Sequence, residues 1–162
     1  MKISIIVAYN KNYVIGNNDK LIYHIPNDLK RFKSLTDNHY VLVGRKTYES
    51  IPNRLPNRKI LLISKSDYKC HIRDDINVFH DIDKAIQCAK NNHETELFII
   101  GGASIYAQTL NMVDQIYLTY IHDNISGNIK FPCMNLREWN VTIENVFKYK
   151  NLEYSFQNFT KV

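Results

Sequence analysis

An aspartate sits on the apolar face of a short amphipathic segment. In Ile25-Pro26-Asn27-Asp28-Leu29-Lys30-Arg31-Phe32-Lys33-Ser34-Leu35, helical spacing puts Ile25, Asp28, Leu29, Phe32 and Leu35 on one side. Lys30, Arg31, Lys33 and Ser34 fall toward the other side, where water is expected. Pro26 is tolerated in the first turn of such a helix. A carboxylate withdrawn from water needs a cation or hydrogen-bond donors. Where the protein supplies none, a ligand can. A plainer role competes: an acid in the first turn favours the positive end of the helix dipole. Both roles stay open on periodicity alone.

Two strand-to-helix junctions form a second group. Val43-Gly44-Arg45-Lys46-Thr47 and Ile100-Gly101-Gly102-Ala103-Ser104 each aim free helix N–H groups outward, where phosphate binds well. Glycine there lets another backbone or a ligand come close. Neither GxGxxG nor GxxxxGK[ST] occurs in the chain, so the usual Rossmann and P-loop fingerprints are absent. Glycine in a tight α/β turn also serves packing only. Taken together, the two junctions suggest a dinucleotide lying across strand ends.

These residues need elements to hold them. Ile3–Ala8, Tyr40–Val43, Ile60–Ile63 and Leu97–Ile100 read as buried strands, and Asn77–Phe79 as a weak one. Helices are expected over 25–35, from Gly44 to Ser50, over 81–91 and over 103–110. Residues 9–24 read as a long polar connection, and a loop of that length is often functional. Gln115–Ile121, Trp139–Tyr149 and Glu153–Thr160 alternate as strands. The order predicts a single α/β domain over 1–162. Its central sheet is mostly parallel and twisted, with an antiparallel C-terminal edge and about four flanking helices.

Composition narrows the function classes. The 162 residues are 44% hydrophobic and 23% charged, ordinary for a globular protein. A net charge of +5 suits anionic ligands, but the basic residues are dispersed, without the basic-aromatic cluster of a nucleic-acid binder. Cys70, Cys88 and Cys133 are odd in number and far apart, so neither a disulfide framework nor a zinc site is expected. The six histidines show no metal spacing. The first apolar run is too short for a signal peptide, and no stretch approaches a membrane span. A cytoplasmic monomer, with no nucleic acid, membrane or metal partner, is expected.

One ordered set of motifs is more specific. Val14-Ile15-Gly16, Ile25-Pro26-Asn27-Asp28-Leu29 with Phe32-Lys33, Gly44-Arg45-Lys46-Thr47-Tyr48-Glu49-Ser50-Ile51, Leu55-Pro56-Asn57-Arg58, Ile99-Ile100-Gly101-Gly102-Ala103-Ser104-Ile105-Tyr106, Tyr117-Leu118-Thr119, and Gly127 with Phe131-Pro132 resemble dihydrofolate reductase of the bacterial chromosomal type. The resemblance runs in order over nearly the whole chain.

It implies NADPH-dependent reduction of 7,8-dihydrofolate to 5,6,7,8-tetrahydrofolate, in support of one-carbon metabolism and thymidylate synthesis. On this resemblance Asp28 grips the pterin and aids protonation at N5, Thr119 hydrogen-bonds that carboxylate, and Tyr23 stands in the catalytic group where the family usually has Trp. Ile6, Leu29, Phe32, Ile51, Leu55, Ile100 and Tyr106 line the substrate, with Lys33 near the mouth. Arg58 forks onto the glutamate tail, which suits its planar geometry. Val7, Ala8, Ile15, Gly16, Asn17, Asn18, Lys20 and Leu21 are assigned to the cofactor. So are Gly44, Arg45, Lys46, Thr47, Ser64, Lys65, Ile100, Gly101, Gly102, Ala103, Ser104, Ile105 and Tyr106. The Gly101–Gly102 bond is expected to be cis, and residues 9–24 to close over the nicotinamide.

The chain departs from the family pattern at Ile22 and Tyr23 (usually Pro-Trp), at Asn128 (usually Asp), at Val43 (often Met) and at Asn57 (often Gly). Asn128 is expected to weaken a loop-to-loop hydrogen bond. Two other readings compete: a related pterin or pyrimidine reductase on the same fold, and a nucleotide- or RNA-binding module. Arg58 beside Phe32 favours a glutamate-tailed folate over the first.

Overall fold

Strands buried on both faces read as continuous apolar runs, and here such runs build the centre of the sheet. The computed structural model describes residues 1–18, 20–21, 23–51, 55–68 and 75–162, with Lys20 described by its backbone only. Its elements are β1 (Lys2–Asn10), β2 (Val14–Asn17), β3 (Lys20–Leu21), α1 (Pro26–Thr36), β4 (Tyr40–Gly44), α2 (Arg45–Ser50), β5 (Lys59–Ile63), β6 (Ile76–Phe79), α3 (Ile82–Asn91), β7 (Glu96–Ile99), α4 (Ala103–Thr109), β8 (Gln115–Ile121), β9 (Ile129–Lys130), β10 (Trp139–Tyr149) and β11 (Leu152–Lys161).

The main sheet runs β10-β11-β8-β1-β7-β4-β5-β6. β1 pairs parallel with both β7 and β8, and β4 with β5 and β7. β11 runs antiparallel to both β8 and β10. The α/β class with an antiparallel C-terminal edge is therefore as expected.

Alternation along each strand feeds two cores. Leu42 and Leu61 pack on one face with Ala85, Ile86 and Ala89 of α3 and with Ile105 and Tyr106 of α4. Val41, Val43, Ile60, Leu62 and Phe98 pack on the other, beside Leu35 of α1 and Tyr48 of α2. In α3 the Asp81 carboxylate accepts from the Lys84 N–H at 3.1 Å, so Asp81 caps the helix and the first turn begins at Ile82.

Three expectations change. Residues 9–24 are not simply a connection. β1 extends to Asn10, and β2 and β3 form a small antiparallel sheet ordered β3-β2-β9. Strands of four and two residues are too short to show a period of two. Arg31, assigned to the water side of α1, is half-buried against β8 and β11. Leu29, assigned to the core side, is 54% exposed; it faces an open cleft rather than packed protein. Ile22, Cys70 and His71 lie outside the described residues.

The N-terminal ends of β4 and β7 are joined by a nearly buried carboxylate. Glu94 accepts from the Tyr40 N–H at 2.7 Å, from the N–H groups of Thr95 and Glu96 at 2.7 and 3.1 Å, and contacts His39 Nδ1 at 2.8 Å. Burial alone would raise its pKa; the hydrogen bonds from Tyr40, His39, Glu96 and Thr95 outweigh that and leave it lowered. A lowered carboxylate contributes stability above its unfolded pKa and loses it as pH falls through the folded value. Glu94→Gln should therefore cost about 1.5–3 kcal/mol at pH 7, the scale of hydrogen bonds to a charged group. The gap from wild type in chemical-denaturation curves should narrow as the pH is taken below about 4, toward and past the carboxylate range.

Candidate active site

The cleft crosses the C-terminal ends of the parallel strands, where open α/β sheets bind ligands. Ile6, Val7 and Ala8 of β1, Gly44 ending β4, Ile63 ending β5 with Ser64 after it, His80 after β6 and Ile100 after β7 all line it. Its volume is about 2130 Å³, while a pocket for one drug-sized ligand is roughly 300–1,000 Å³. The cleft has room for two ligands side by side.

Asp28 stands in the first turn of α1 and lines this cleft. The parallel register sets Thr119 of β8 beside Ala8 of β1. From there the Thr119 hydroxyl donates to Asp28 Oδ1 at 2.5 Å. Thr119 itself is 1% exposed and lies behind the carboxylate rather than on the cleft wall. Among the described residues no protein group hydrogen-bonds Oδ2. Burial raises the Asp28 pKa; the Thr119 hydrogen bond and the charge of Arg31 pull it back. The dipole role is compatible with this placement but does not account for the cleft or for Thr119.

Ile6, Leu29, Phe32, Ile51, Leu55 and Ile100 give the surrounding wall its apolar character. Tyr106 is buried, and its hydroxyl donates to the Ile6 carbonyl at 2.7 Å. Burial, then the nearby Asp28 charge, pushes its phenol far up, so it stays neutral.

Arg58 is 5% exposed yet reaches the cleft. Nε donates to Thr36 Oγ1 at 3.0 Å, Nη1 to the Pro56 carbonyl and Nη2 to the Lys33 carbonyl at 3.2 Å. Three of its five donors are taken by these acceptors, and among the described residues two are left for a ligand. Asn57 holds φ +61°, a left-handed region that Asn tolerates and Gly prefers.

The glycine junctions meet across the middle. The Gly44 N–H donates to the Gly101 carbonyl at 2.8 Å, and the Gly101–Gly102 bond is cis. A Cβ on Gly102 would lie 2.7 Å from Thr47 Oγ1, and one on Gly44 would lie 3.2 Å from Ile105 Cγ1. Neither α2 nor α4 has a side-chain cap, so the N–H groups of their first turns stay available. Arg45, Lys46, Thr47, Ala103, Ser104 and Ile105 line the same stretch, as do Ser64 and Lys65.

Val7, Ala8, Ile15, Gly16, Leu21 and Tyr23 reach the cleft as well. Asn17 and Asn18 do not; both are exposed at the end of β2. The Asn18 N–H donates to Asn128 Oδ1 at 3.0 Å, and the Asn128 amide returns a bond to Asn18 Oδ1 at 3.2 Å. An amide thus keeps the loop-to-loop contact at the position where weakening was expected. The Tyr23 hydroxyl donates to Asp123 and accepts from Asn10 Nδ2 at 2.9 Å. The side chain of Lys20 lies outside the described residues.

At the far end of the cleft stand His80, weighed from the sequence as facing a cofactor phosphate but left out of the expected site, and Asp81, Ile82 and Asp83, which sequence reasoning missed. His80 contacts the Ser64 carbonyl at 2.7 Å and Asp67 at 3.2 Å. The signal was available: in a parallel sheet the residue after β6 lies beside the residue after β5. No cluster of three or more potential metal ligands occurs among the described residues, and no described helix is long and apolar enough to cross a membrane.

The family model described as dihydrofolate reductase matches residues 2–161. The chain is 34% identical over 153 residues to a dihydrofolate reductase of Staphylococcus aureus, covering 93% of this chain and 92% of that one. It is 33% identical over 171 residues to that of Bacillus subtilis, covering 98% and 97%. It is 35% identical over 162 residues to dihydrofolate reductase type 6 of Proteus mirabilis, covering 99% of each. The chain belongs to the dihydrofolate reductase family. It is an enzyme, an oxidoreductase.

A raised carboxylate carries a sign that can be measured. Stability from Asp28 is full below its unfolded pKa and is lost as pH rises through the higher folded value. In the unliganded reductase Asp28→Asn should therefore raise Tm at pH 7. The gain should shrink as the pH is lowered toward 4 in a pH series of thermal melts.

Proposed function

We propose that this reductase uses NADPH to convert 7,8-dihydrofolate to 5,6,7,8-tetrahydrofolate. The observation that carries the reading is Asp28: a carboxylate held by Thr119 on the apolar wall of a cleft large enough for substrate and cofactor. With Oδ1 held by Thr119, Oδ2, which has no hydrogen-bond partner among the described residues, would accept from the amidine-like edge of a pterin. The charge of Asp28 then favours a protonated substrate. Leu29, Phe32, Ile51 and Leu55 would pack on the rings and keep water away, which strengthens the ion pair.

The residues present fit a nicotinamide dinucleotide. Gly44 and Gly102 leave backbone where a Cβ would crowd Ile105 and Thr47. The uncapped starts of α2 and α4 offer N–H donors, and Arg45, Ser64 and Lys65 add cations and a hydroxyl for a ribose 2′-phosphate. When bound, the cofactor supplies the hydride. Tyr106, through Ile6, and the Gly44–Gly101 hydrogen bond keep the facing walls in register. The product feeds one-carbon transfer, including thymidylate synthesis, and the cytoplasm is the natural compartment.

The test is spectrophotometric. NADPH oxidation should depend on dihydrofolate and run faster than NADH oxidation. Asp28→Asn should keep the fold and lose roughly 10²–10⁴ of the rate at pH 7, the range of a positioned acid-base group. Dihydrofolate-independent oxidation, or an unimpaired Asp28→Asn, would refute the reading.

Arg58 meets the remote end of the substrate in this reading, so it should act as nearly uniform binding. Arg58→Leu should raise KM for dihydrofolate by about 2–5 kcal/mol in free-energy terms, with a smaller change in kcat. Steady-state titration with dihydrofolate and with a tail-less pterin separates the effects: the tail-less substrate should show little difference between wild type and variant.

A further inference from the structure

Arg31 lies one helical turn after Asp28, and the same stretch of β8 holds both. Thr119 donates to Asp28, while the Leu118 carbonyl accepts from Arg31 Nη1 at 3.1 Å. Arg31 Nη2 donates to Asn158 Oδ1 of β11 at 2.6 Å. The guanidinium lies 4.4 Å from the Phe156 ring centroid and 5.7 Å from that of Tyr117. Asn158 in turn donates to Glu144 of β10 at 2.6 Å. A helix face otherwise meant for water has been turned inward to keep this cation at a fixed place. Packing alone does not need a charge there: an apolar residue would cover Phe156 and Tyr117 without the cost of desolvating a guanidinium.

We propose that Arg31 is a positioning residue for the substrate-binding carboxylate: it locks the first turns of α1 onto Leu118 and Asn158 and keeps a permanent positive charge behind Asp28. The proposal rests on the assignment of Asp28 to the pterin. Arg31 remains protonated under all working conditions. At a spacing of three residues, the two side chains are neighbours on the helix surface. The charge of Arg31 opposes the effect of burial on Asp28. Other titratable groups in reach act differently. Tyr106 on α4 is neutral, and Tyr117 on β8 and Glu144 on β10 act on Arg31 itself. The Asp28–Arg31–Asn158–Glu144 series thus runs from the cleft to the exposed edge of the sheet.

The test separates charge from packing. Protein labelled with ¹³C at aspartate carboxyls gives an Asp28 signal identified by its loss in Asp28→Asn. Its titration midpoint should move to higher pH in Arg31→Gln and stay near wild type in Arg31→Lys. Arg31→Met, which keeps an apolar stem over Phe156, serves as the neutral arm if the Gln variant does not fold. In parallel, KM for dihydrofolate at pH 7 should rise about tenfold in the neutral variant, the scale of one hydrogen bond to a charged group, and recover in Arg31→Lys. An unchanged midpoint in the neutral variant, or an equal shift in the Lys variant, would overturn the proposal. The NMR arm needs no turnover, so its failure is distinct from a failure of the reductase reading.

Discussion

A carboxylate taken out of water has to be compensated at the spot where it stands, and that constraint organises this cleft. Asp28 cannot drift to find partners, because it projects from the first turn of a helix already docked by Leu35 on the sheet. Its donor must therefore come from the sheet. The parallel pairing of β1 with β8, Ala8 against Thr119, supplies it. β8 can sit beside β1 only because the chain returns there last, after β7 has filled the other side. β11 then runs antiparallel to β8 and brings Phe156 and Asn158 under Arg31. The antiparallel edge is thus part of the site, although no residue of it lines the cleft.

The second constraint is closeness of backbone. Two loops from neighbouring strands, β4 and β7, turn into helices side by side, and the Gly44 N–H bonds the Gly101 carbonyl. Side chains at these positions would fill the gap between the helix starts. Glycine leaves that gap to a ligand and exposes unpaired N–H groups where charge can be met. The wall opposite is apolar and rigid, built from strand residues such as Ile6 and Ile100. One wall offers hydrogen bonds and the other offers contact area, a division that suits a polar cofactor lying against an aromatic substrate.

The parts legible in the sequence are those governed by local rules. Long apolar runs such as Tyr40–Val43 and Ile60–Ile63 could only be buried strands, and Pro26 with the spacing through Leu35 fixed α1 to within a residue. Asp28 declared itself by violating the pattern. What stayed hidden depends on partners remote in sequence. Arg31 has the spacing of a surface residue; Phe156 and Asn158, more than a hundred positions later, draw it inward. Leu29 has the spacing of a core residue but meets a cleft. β2, β3 and β9 owe their strand conformation to one another, not to propensity. His80 enters the cleft because β6 lies beside β5, which no window around residue 80 reveals.

The polar side of the cleft is built differently from its floor. Asn10, Asn18 and Tyr23 are held by amides and a phenol: Asn10 to Tyr23 and Asp123, Tyr23 to Asp123, Asn18 to Asn128. Burial and the Asp123 hydrogen bond raise the Tyr23 pKa, so it remains a donor throughout the working range. Asn10, fully buried, gives these loops a fixed root at the end of β1. The Asn18–Asn128 pair is exposed to water, where each hydrogen bond contributes little because water competes for the same groups. The loops are thus anchored at one end and weakly held at the other. Parting that exposed tip from Asn128 breaks two solvent-exposed bonds and leaves the buried Val14 and Ile15 of β2 in place. Elements of low local stability mounted on a rigid scaffold are the ones able to admit a ligand and close behind it. In this chain the division falls within β2, between the buried Ile15 and the exposed Asn17 and Asn18.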